Sequence, residues 1–228
     1  MYNCLLCQVP LANNLTIKEI FSFQIHRPPI ACPRCLETFI RIKKELSCRG
    51  CSRPQKDQEY CSDCLKWKRW YPELKIEHTA FFEYEESFKN WLHRYKFQGD
   101  IRLSQIFISE IQQIILKNKN ACVVPLPITL TSAKERGFNQ CEEILRAARV
   151  PYFNLLKNVY TGEKQSEKDR QERLHTVQPF EIQPIHLPVD QKIILFDDVY
   201  TTGRTMLHAK QLLVSKGYKE IVSFTLGR

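Results

Sequence analysis

Eight cysteines, arranged as four C-x-x-C pairs within the first 64 residues, constrain this chain more than any other feature. The pairs are Cys4/Cys7, Cys32/Cys35, Cys48/Cys51 and Cys61/Cys64. Two intervening residues let both sulfurs turn onto one tetrahedral ion, and two such knuckles close a structural zinc site with no open position for catalysis. Two structural Zn2+ ions are therefore expected. Spacing alone leaves the pairing open, sequential or crossed. The sequential arrangement is the expectation, because the nine residues between Cys51 and Cys61 suit a short zinc ribbon. The 24 residues between Cys7 and Cys32 hold the apolar segment LTIKEIFSFQI and a Pro28-Pro29 turn. Disulfides do not fit a chain whose start, MYNCLLCQVP, lacks an export signal. A redox C-x-x-C is expected singly, beside a βαβ pattern.

Residues 1–76 are short of core-forming side chains for their length, so metal binding must supply folding free energy that burial cannot. The expected organisation is a double zinc-ribbon domain over 1–76 and a second domain over 77–228. With 34 basic and 25 acidic residues the formal charge is +9. Eight thiolates on two divalent ions bring that to about +5. A mildly basic soluble surface and nucleic-acid binding fit that balance equally. In LKWKRWY, Trp67, Trp70 and Tyr71 interleave with Lys66, Lys68 and Arg69. The stretch reads either as a stacking surface for single-stranded DNA or as aromatics that pack the small module on its neighbour; packing is the expectation. No apolar run approaches a membrane span, so a soluble cytoplasmic protein is expected.

Beyond residue 76 the pattern changes. EHTAFFEYEE is strand-like, and SFKNWLHRYKF places Phe88, Trp91, Leu92 and Tyr95 on one helical side until Gly99-Asp100 breaks it. IRLSQIFISEIQQIIL repeats the helical pattern up to Asn118-Lys119-Asn120, and ACVVPLP reads as a buried strand stopped by prolines. TSAKERGFNQCEEILRAAR is helical with Gly137 as a weak point. A short strand near PFEI, the strand KIILF, a helix over 204–215 and a final strand EIVSFTL follow. Strands alternating with helices predict an α/β fold with a mainly parallel sheet, whose ligands bind at the C-terminal ends of the strands.

The stretch IILFDDVYTTGRT, residues 193–205, ends such a strand. For both Asp197 and Asp198 to act on one ligand, the backbone must leave β geometry near Asp197, because neighbouring strand side chains face opposite ways. The loop after them offers free N–H groups at a helix start and the hydroxyls of Thr201, Thr202 and Thr205, all suited to a phosphate. Gly203 permits a tight turn. Carboxylates suit a pair of sugar hydroxyls. Acids and loop together describe a ribose 5-phosphate; the bland reading is a helix-capping Asp-Asp turn.

These thirteen residues resemble the 5-phosphoribosyl-1-pyrophosphate (PRPP) signature of type I phosphoribosyltransferases. The chain as a whole resembles, more narrowly, the ComF family. That likeness rests on the cysteine knuckles, Tyr95-Lys96-Phe97 with Gly99-Asp100, Val124-Pro125-Leu126-Pro127, Glu135-Arg136-Gly137-Phe138-Asn139-Gln140, and Lys164-Gln165-Ser166 with Arg170 and Arg173. The resemblance implies that Asp197 and Asp198 hold the ribose hydroxyls as the catalytic acids, while Val199, Tyr200, Thr201, Thr202, Gly203, Arg204 and Thr205 surround the 5-phosphate. It implies that the turn with Pro125 and Leu126 faces pyrophosphate, with Mg2+. It implies a flap between Thr161 and Thr176 whose Lys164, Arg170 and Arg173 close on the pyrophosphate, although Glu163, Glu167, Asp169 and Glu172 alone make that stretch a solvated loop.

The role the resemblance implies is DNA uptake in natural transformation, beside an ATP-dependent single-strand DNA translocase. The chain has no GxxxxGK[ST] motif and is not itself that motor. A base- or amine-salvage phosphoribosyltransferase and a PRPP- or nucleotide-gated adaptor are the alternatives. Cys122 and Cys141 read as small buried hydrophobes. The six histidines lack metal-type spacing, so His93 and His175 read as structural or surface residues.

Overall fold

The computed structural model describes residues 2–12, 21, 29–160 and 178–228. The elements outside the main sheet are brief. Strands β1 (Tyr2–Asn3) and β2 (Pro10–Leu11) pair antiparallel, and helices α1 (Pro33–Glu37) and α2 (Ser62–Trp70) each follow a cysteine at the N-cap.

The sheet has four strands in the order β3 (His78–Phe82), β8 (Ile221–Gly227), β7 (Ile193–Val199) and β4 (Cys122–Pro125), and every pairing is parallel. β7 runs through the middle with Ile193, Ile194, Leu195 and Phe196 all fully buried, as a strand covered on both faces must be. Strands β5 (Leu156–Asn158) and β6 (Phe180–Ile182) form a separate antiparallel pair. β5 has no strand-like signal in the sequence, since three residues cannot show an alternation.

Helix α3 (Glu86–Phe97) buries Phe88, Trp91, Leu92 and Tyr95, the side that its spacing predicts, and Gly99 beyond its end takes φ 69°. Its buried polar tips are satisfied: Trp91 Nε1–H donates to Leu103 O (3.1 Å) and Tyr95 Oη–H to Gln140 O (2.7 Å). Residues 101–116 do not form one helix. A 3-10 turn (Ile101–Gln105) gives way at Phe107 to α4 (Ile108–Lys117). Phe107 leaves helical geometry to set its ring edge-on against Phe39 (5.0 Å) and Trp91 (4.8 Å), a packing gain that outweighs one uninterrupted helix. Helices α5 (Leu130–Arg136) and α6 (Gln140–Ala147) break at Gly137, φ 78°, and α7 (Arg204–Ser215) spans the range the sequence predicts.

The sheet divides the core. On one face α3, α4 and α6 pack with Ile194, Phe196, Phe224 and Leu226; on the other Met206 and Leu213 of α7 and the β5–β6 pair pack with Ile193, Leu195 and Ile221. The cysteine-rich residues wrap the β3 edge between these faces. The 40–42 segment pairs along it, with Ile42 N–H to Phe81 O (2.8 Å) and Glu83 N–H to Ile40 O (2.9 Å), which removes an exposed strand edge. Cys4 joins the first core, and Cys48, Cys51, Cys61 and Cys64 join the second.

Candidate functional site

The eight cysteines gather in two tetrads, Cys4/Cys7/Cys32/Cys35 and Cys48/Cys51/Cys61/Cys64, with the sulfurs of each within 4.8 Å of one another. This is the sequential pairing. Four sulfurs about 2.3 Å from one tetrahedral zinc lie roughly 3.8 Å apart. Cys7 and Cys32 are 3.7 Å apart, Cys48 and Cys64 3.7 Å, and Cys51 and Cys61 3.6 Å. Backbone N–H groups already point at the sulfurs as they would at thiolates: Cys32 N to Cys4 Sγ (3.3 Å), and Gly50 N (3.4 Å) and Cys61 N (3.2 Å) to Cys48 Sγ. Both tetrads fit zinc.

Asp197 and Asp198 lie at the C-terminal end of β7, but the strand does not leave β geometry between them. It continues to Val199, which pairs with Gly227. The acids come together another way. β4 stops at Pro125, opposite Phe196, so the next stretch of β7 loses its neighbour. The Asp198 N–H donates instead to Asp197 Oδ1 (2.9 Å), drawing that carboxylate back along the strand. Burial and the Asp198 charge push the Asp197 carboxyl up to about 7, against the pull of Lys96. The Cys141 thiol donates to Asp197 Oδ1 (3.4 Å) and is itself held far above the usual thiol range by burial. Cys141 is buried as expected, yet it touches an acid rather than only filling space; Cys122 is half-buried.

Lys96 Nζ sits 2.5 Å from Asp198 Oδ2, with the carboxylate 3% exposed. Burial alone would lower the lysine, but the charges of Asp198 and Asp197 hold its ammonium above the ordinary range. The ammonium donates to Oδ2, and a carboxylate oxygen with one donor keeps a lone pair for a second. Besides its place in the Tyr95-Lys96-Phe97 stretch, the sequence offered a second signal for this lysine: it falls four residues after Leu92, on the apolar side of α3. Around the pair, the Tyr95 ring lies tilted against Phe138 (5.5 Å), and Gln140 Oε1 accepts from Arg136. The Tyr95–Lys96–Phe97 and Glu135–Gln140 stretches therefore meet beside the acids.

After Val199 the chain turns into the loop. Gly203 caps α7 at φ 82° without a side-chain cap, which leaves the first-turn N–H groups of a twelve-residue helix facing outward. A Cβ on Gly203 would lie 2.1 Å from Tyr200 Oη. Tyr200 is buried, its ring 4.3 Å from His78 and 4.9 Å below the Arg228 guanidinium. Thr201, Thr202 and Thr205 are exposed, and Asp197, Val199, Tyr200, Gly203 and Thr205 surround a small concavity of about 20 Å³. Arg204 opens α7 and donates its N–H toward Thr202 Oγ1 (3.4 Å).

The Val124–Pro127 turn leaves the sheet at the same end. Leu126 N–H donates to Phe196 O (2.8 Å), and the Leu126 and Pro127 carbonyls accept from Asn139 (3.2 Å) and Asn158 (3.3 Å). Lys164, Arg170, Arg173 and His175 lie outside the described residues. His93 packs its ring on Phe97 (5.5 Å) at the surface. Trp67 meets the packing expectation: its ring lies against Trp70 (5.3 Å) and Tyr71 (6.0 Å), and Nε1–H donates to Thr202 O (3.0 Å). Two larger cavities, of 580 and 690 Å³, lie along the β3 edge and under α7, away from acids and loop. Convergent chemistry rather than size selects the site.

No family model matches the chain. A hypoxanthine phosphoribosyltransferase of Staphylococcus aureus aligns structurally with a TM-score of 0.33 at 14% identity, over 55% of this chain and 63% of that one. The competence protein ComFC of Bacillus subtilis is 31% identical over 231 residues, covering 99% of this chain and 94% of that protein. The ComFC of Streptococcus pneumoniae is 34% identical over 225 residues, 99% of both chains, and with that relationship the protein belongs to the ComFC family of competence proteins.

Proposed function

We propose that this protein acts in DNA uptake during natural transformation, in the cytoplasm, and carries a site for PRPP or a related phosphoribosyl ligand. Among the described residues no helix is long and apolar enough to cross a membrane. The observation that carries the ligand reading is the placement of two adjacent carboxylates, Asp197 and Asp198, at the C-terminal end of β7, a few residues before a helix start whose N-cap, Gly203, has no side chain. An acceptor waiting for hydroxyls and a donor cluster waiting for phosphate suit the two ends of a ribose 5-phosphate. In this reading Asp197 and Asp198 bind the ribose, Tyr200 to Thr205 the 5-phosphate, and Pro125 and Leu126 the pyrophosphate. The same reading assigns Lys164 and Arg173 to the pyrophosphate. Among the described residues only the cysteine tetrads group three or more metal-ligating side chains, so Mg2+ arrives on the ligand's own oxygens.

Lys96 favours binding over turnover. Phosphoribosyl transfer passes through a positively charged ribose, which two carboxylates stabilise and a fixed ammonium 2.5 Å from one of them opposes. An active transferase for a base or amine is the second reading. The motor that this chain lacks is supplied by an ATP-dependent single-strand DNA translocase, with the residue 1–76 zinc module and the exposed Trp70 as docking surfaces and 77–228 as the ligand domain. Calorimetry with PRPP tests the site: Asp197→Asn with Asp198→Asn is expected to abolish binding in folded protein, and unchanged affinity overturns the assignment. A deletion strain is expected to grow normally and lose transformation; intact transformation overturns the role.

A further inference from the structure

Four hydrogen bonds, made by Arg228 and Trp67, link the second cysteine tetrad to the loop. The Arg228 guanidinium donates to Cys51 Sγ (3.4 Å), to Tyr200 O (3.2 Å) and to Thr201 O (2.7 Å), and also covers the Tyr200 ring. Trp67, on the helix that begins at Cys61, donates its indole N–H to Thr202 O (3.0 Å). Three consecutive loop carbonyls are thus fixed by two side chains that are themselves fixed by the tetrad. The remaining loop residue, Gly203, is set from beneath by Tyr200. The backbone of Arg228 is clamped as well: its N–H donates to Phe82 O (2.9 Å) and its carbonyl accepts from Tyr84 N–H (3.0 Å).

The direction of these bonds matters. Fixing carbonyls on the inner side of a turn leaves the following N–H groups on its outer side, where a phosphate would sit. The N-cap, Gly203, has no side chain to hold that geometry, and within the loop only the long bond from Arg204 N–H to Thr202 Oγ1 (3.4 Å) helps. We infer that Arg228 and Trp67 are positioning residues of the phosphate loop, and that the Cys48/Cys51/Cys61/Cys64 zinc site is part of the phosphate cradle rather than an independent fold staple. A thiolate on zinc keeps charge for the guanidinium to meet, which a neutral thiol does not. The inference rests on reading Tyr200–Thr205 as a phosphate cradle.

Arg228→Gln, Arg228→Lys and Trp67→Phe are compared with wild type by three readouts. These are calorimetric affinity for ribose 5-phosphate and, separately, for pyrophosphate; amide hydrogen exchange over 200–207 and over α3; and zinc per chain. Phe keeps the packing of Trp67 and removes its donor. Lys keeps the charge of Arg228 but cannot bridge three acceptors. Each variant is expected to retain two zinc ions, to bind ribose 5-phosphate roughly tenfold more weakly, to bind pyrophosphate as wild type does, and to exchange faster over 200–207 alone. Equal loss for both ligands, or faster exchange in α3 as well, means general loosening and overturns the inference. So do unchanged ribose 5-phosphate affinity and unchanged loop exchange with zinc retained. Wild type that binds neither ligand defeats the cradle reading, and loop exchange then still decides whether these residues position the loop.

Discussion

The two cysteine tetrads are alike in spacing and unlike in setting. Cys48, Cys51, Cys61 and Cys64 are all buried, within a core that includes Tyr200, Met206 and Leu195. In the other tetrad only Cys4 is buried and Cys7 is exposed; this tetrad meets α3 through Arg94, which donates to Leu5 O (2.7 Å) and Leu6 O (3.2 Å). One tetrad is built into the interior beneath the loop, the other is fastened to the outside of α3. The same four-cysteine arrangement can therefore serve as a core element in one place and as a clip in another, and the surroundings decide which.

The largest expected effect follows from that difference. A structural zinc site contributes about 10–16 kcal/mol in peptides, comparable with the whole stability of a domain. Cys64→Ala is expected to abolish the cooperative thermal transition of the protein. Cys7→Ala is expected to leave one zinc per chain and a transition that is shifted but cooperative. Metal analysis with calorimetry checks both, and equal damage from the two substitutions would break the comparison.

The next effect compares the two halves of the proposed ligand site, which are held from opposite faces of the sheet. Asp198 is held from the α3 side by Lys96, and the loop from the α7 side by Trp67 and Arg228. Lys96→Met strands a buried carboxylate and is expected to cost about 3–5 kcal/mol. Adding Asp198→Asn is expected to recover much of that cost, because the amide carries no charge to desolvate. By contrast Arg146 with Glu142, an exposed pair at 3.1 Å, is expected to contribute less than about 1 kcal/mol. Urea unfolding of the three variants ranks them. Gly203→Ala acts on the other half: left-handed strain and the displaced Tyr200 hydroxyl are expected to cost about 2–3 kcal/mol, with ribose 5-phosphate affinity falling further than stability does.

How much of this was legible in the sequence differs between the two halves for a physical reason. The loop residues are contiguous, so a hydroxyl-rich turn with one glycine after a buried strand could be read directly. The helix at 204–215 and the buried side of α3 were legible because periodicity is local. The side chains that hold the site come from far along the chain. Thr202 meets Trp67 across 135 residues, and Cys51 meets Arg228 across 177. Nothing in a one-dimensional pattern registers such pairs. The expected break in β7 failed for a related reason. It assumed that neighbouring strand carboxylates must part, whereas the early end of β4 frees the Asp198 N–H to pull Asp197 back. The 1–76 and 77–228 division also looks different in three dimensions, since the first segment pairs along β3 and shares both cores.

The effect that reads the seam between the halves, where Asp197 lies, depends on pH. Its carboxyl is raised from 3.8 to about 7 by burial and by Asp198. A carboxyl raised on folding binds its proton more tightly in the folded state, so its contribution is full below about pH 4 and is lost as pH rises through 7. One such group changes stability by at most about 1.4 kcal/mol per pH unit. Ligand binding runs the other way. Only the ionised carboxylate accepts two hydroxyls, so ribose 5-phosphate affinity is expected to rise between pH 6 and 8. The phosphate itself titrates near pH 6, about the foot of that range. The informative quantity is therefore the difference between wild type and Asp197→Asn, which keeps the phosphate's dependence and loses the carboxyl's. If Asp197 joins the two halves, stability should fall and affinity should rise over the same pH window, and both slopes should flatten in the Asn variant. If only stability responds, Asp197 belongs to the sheet and not to the site.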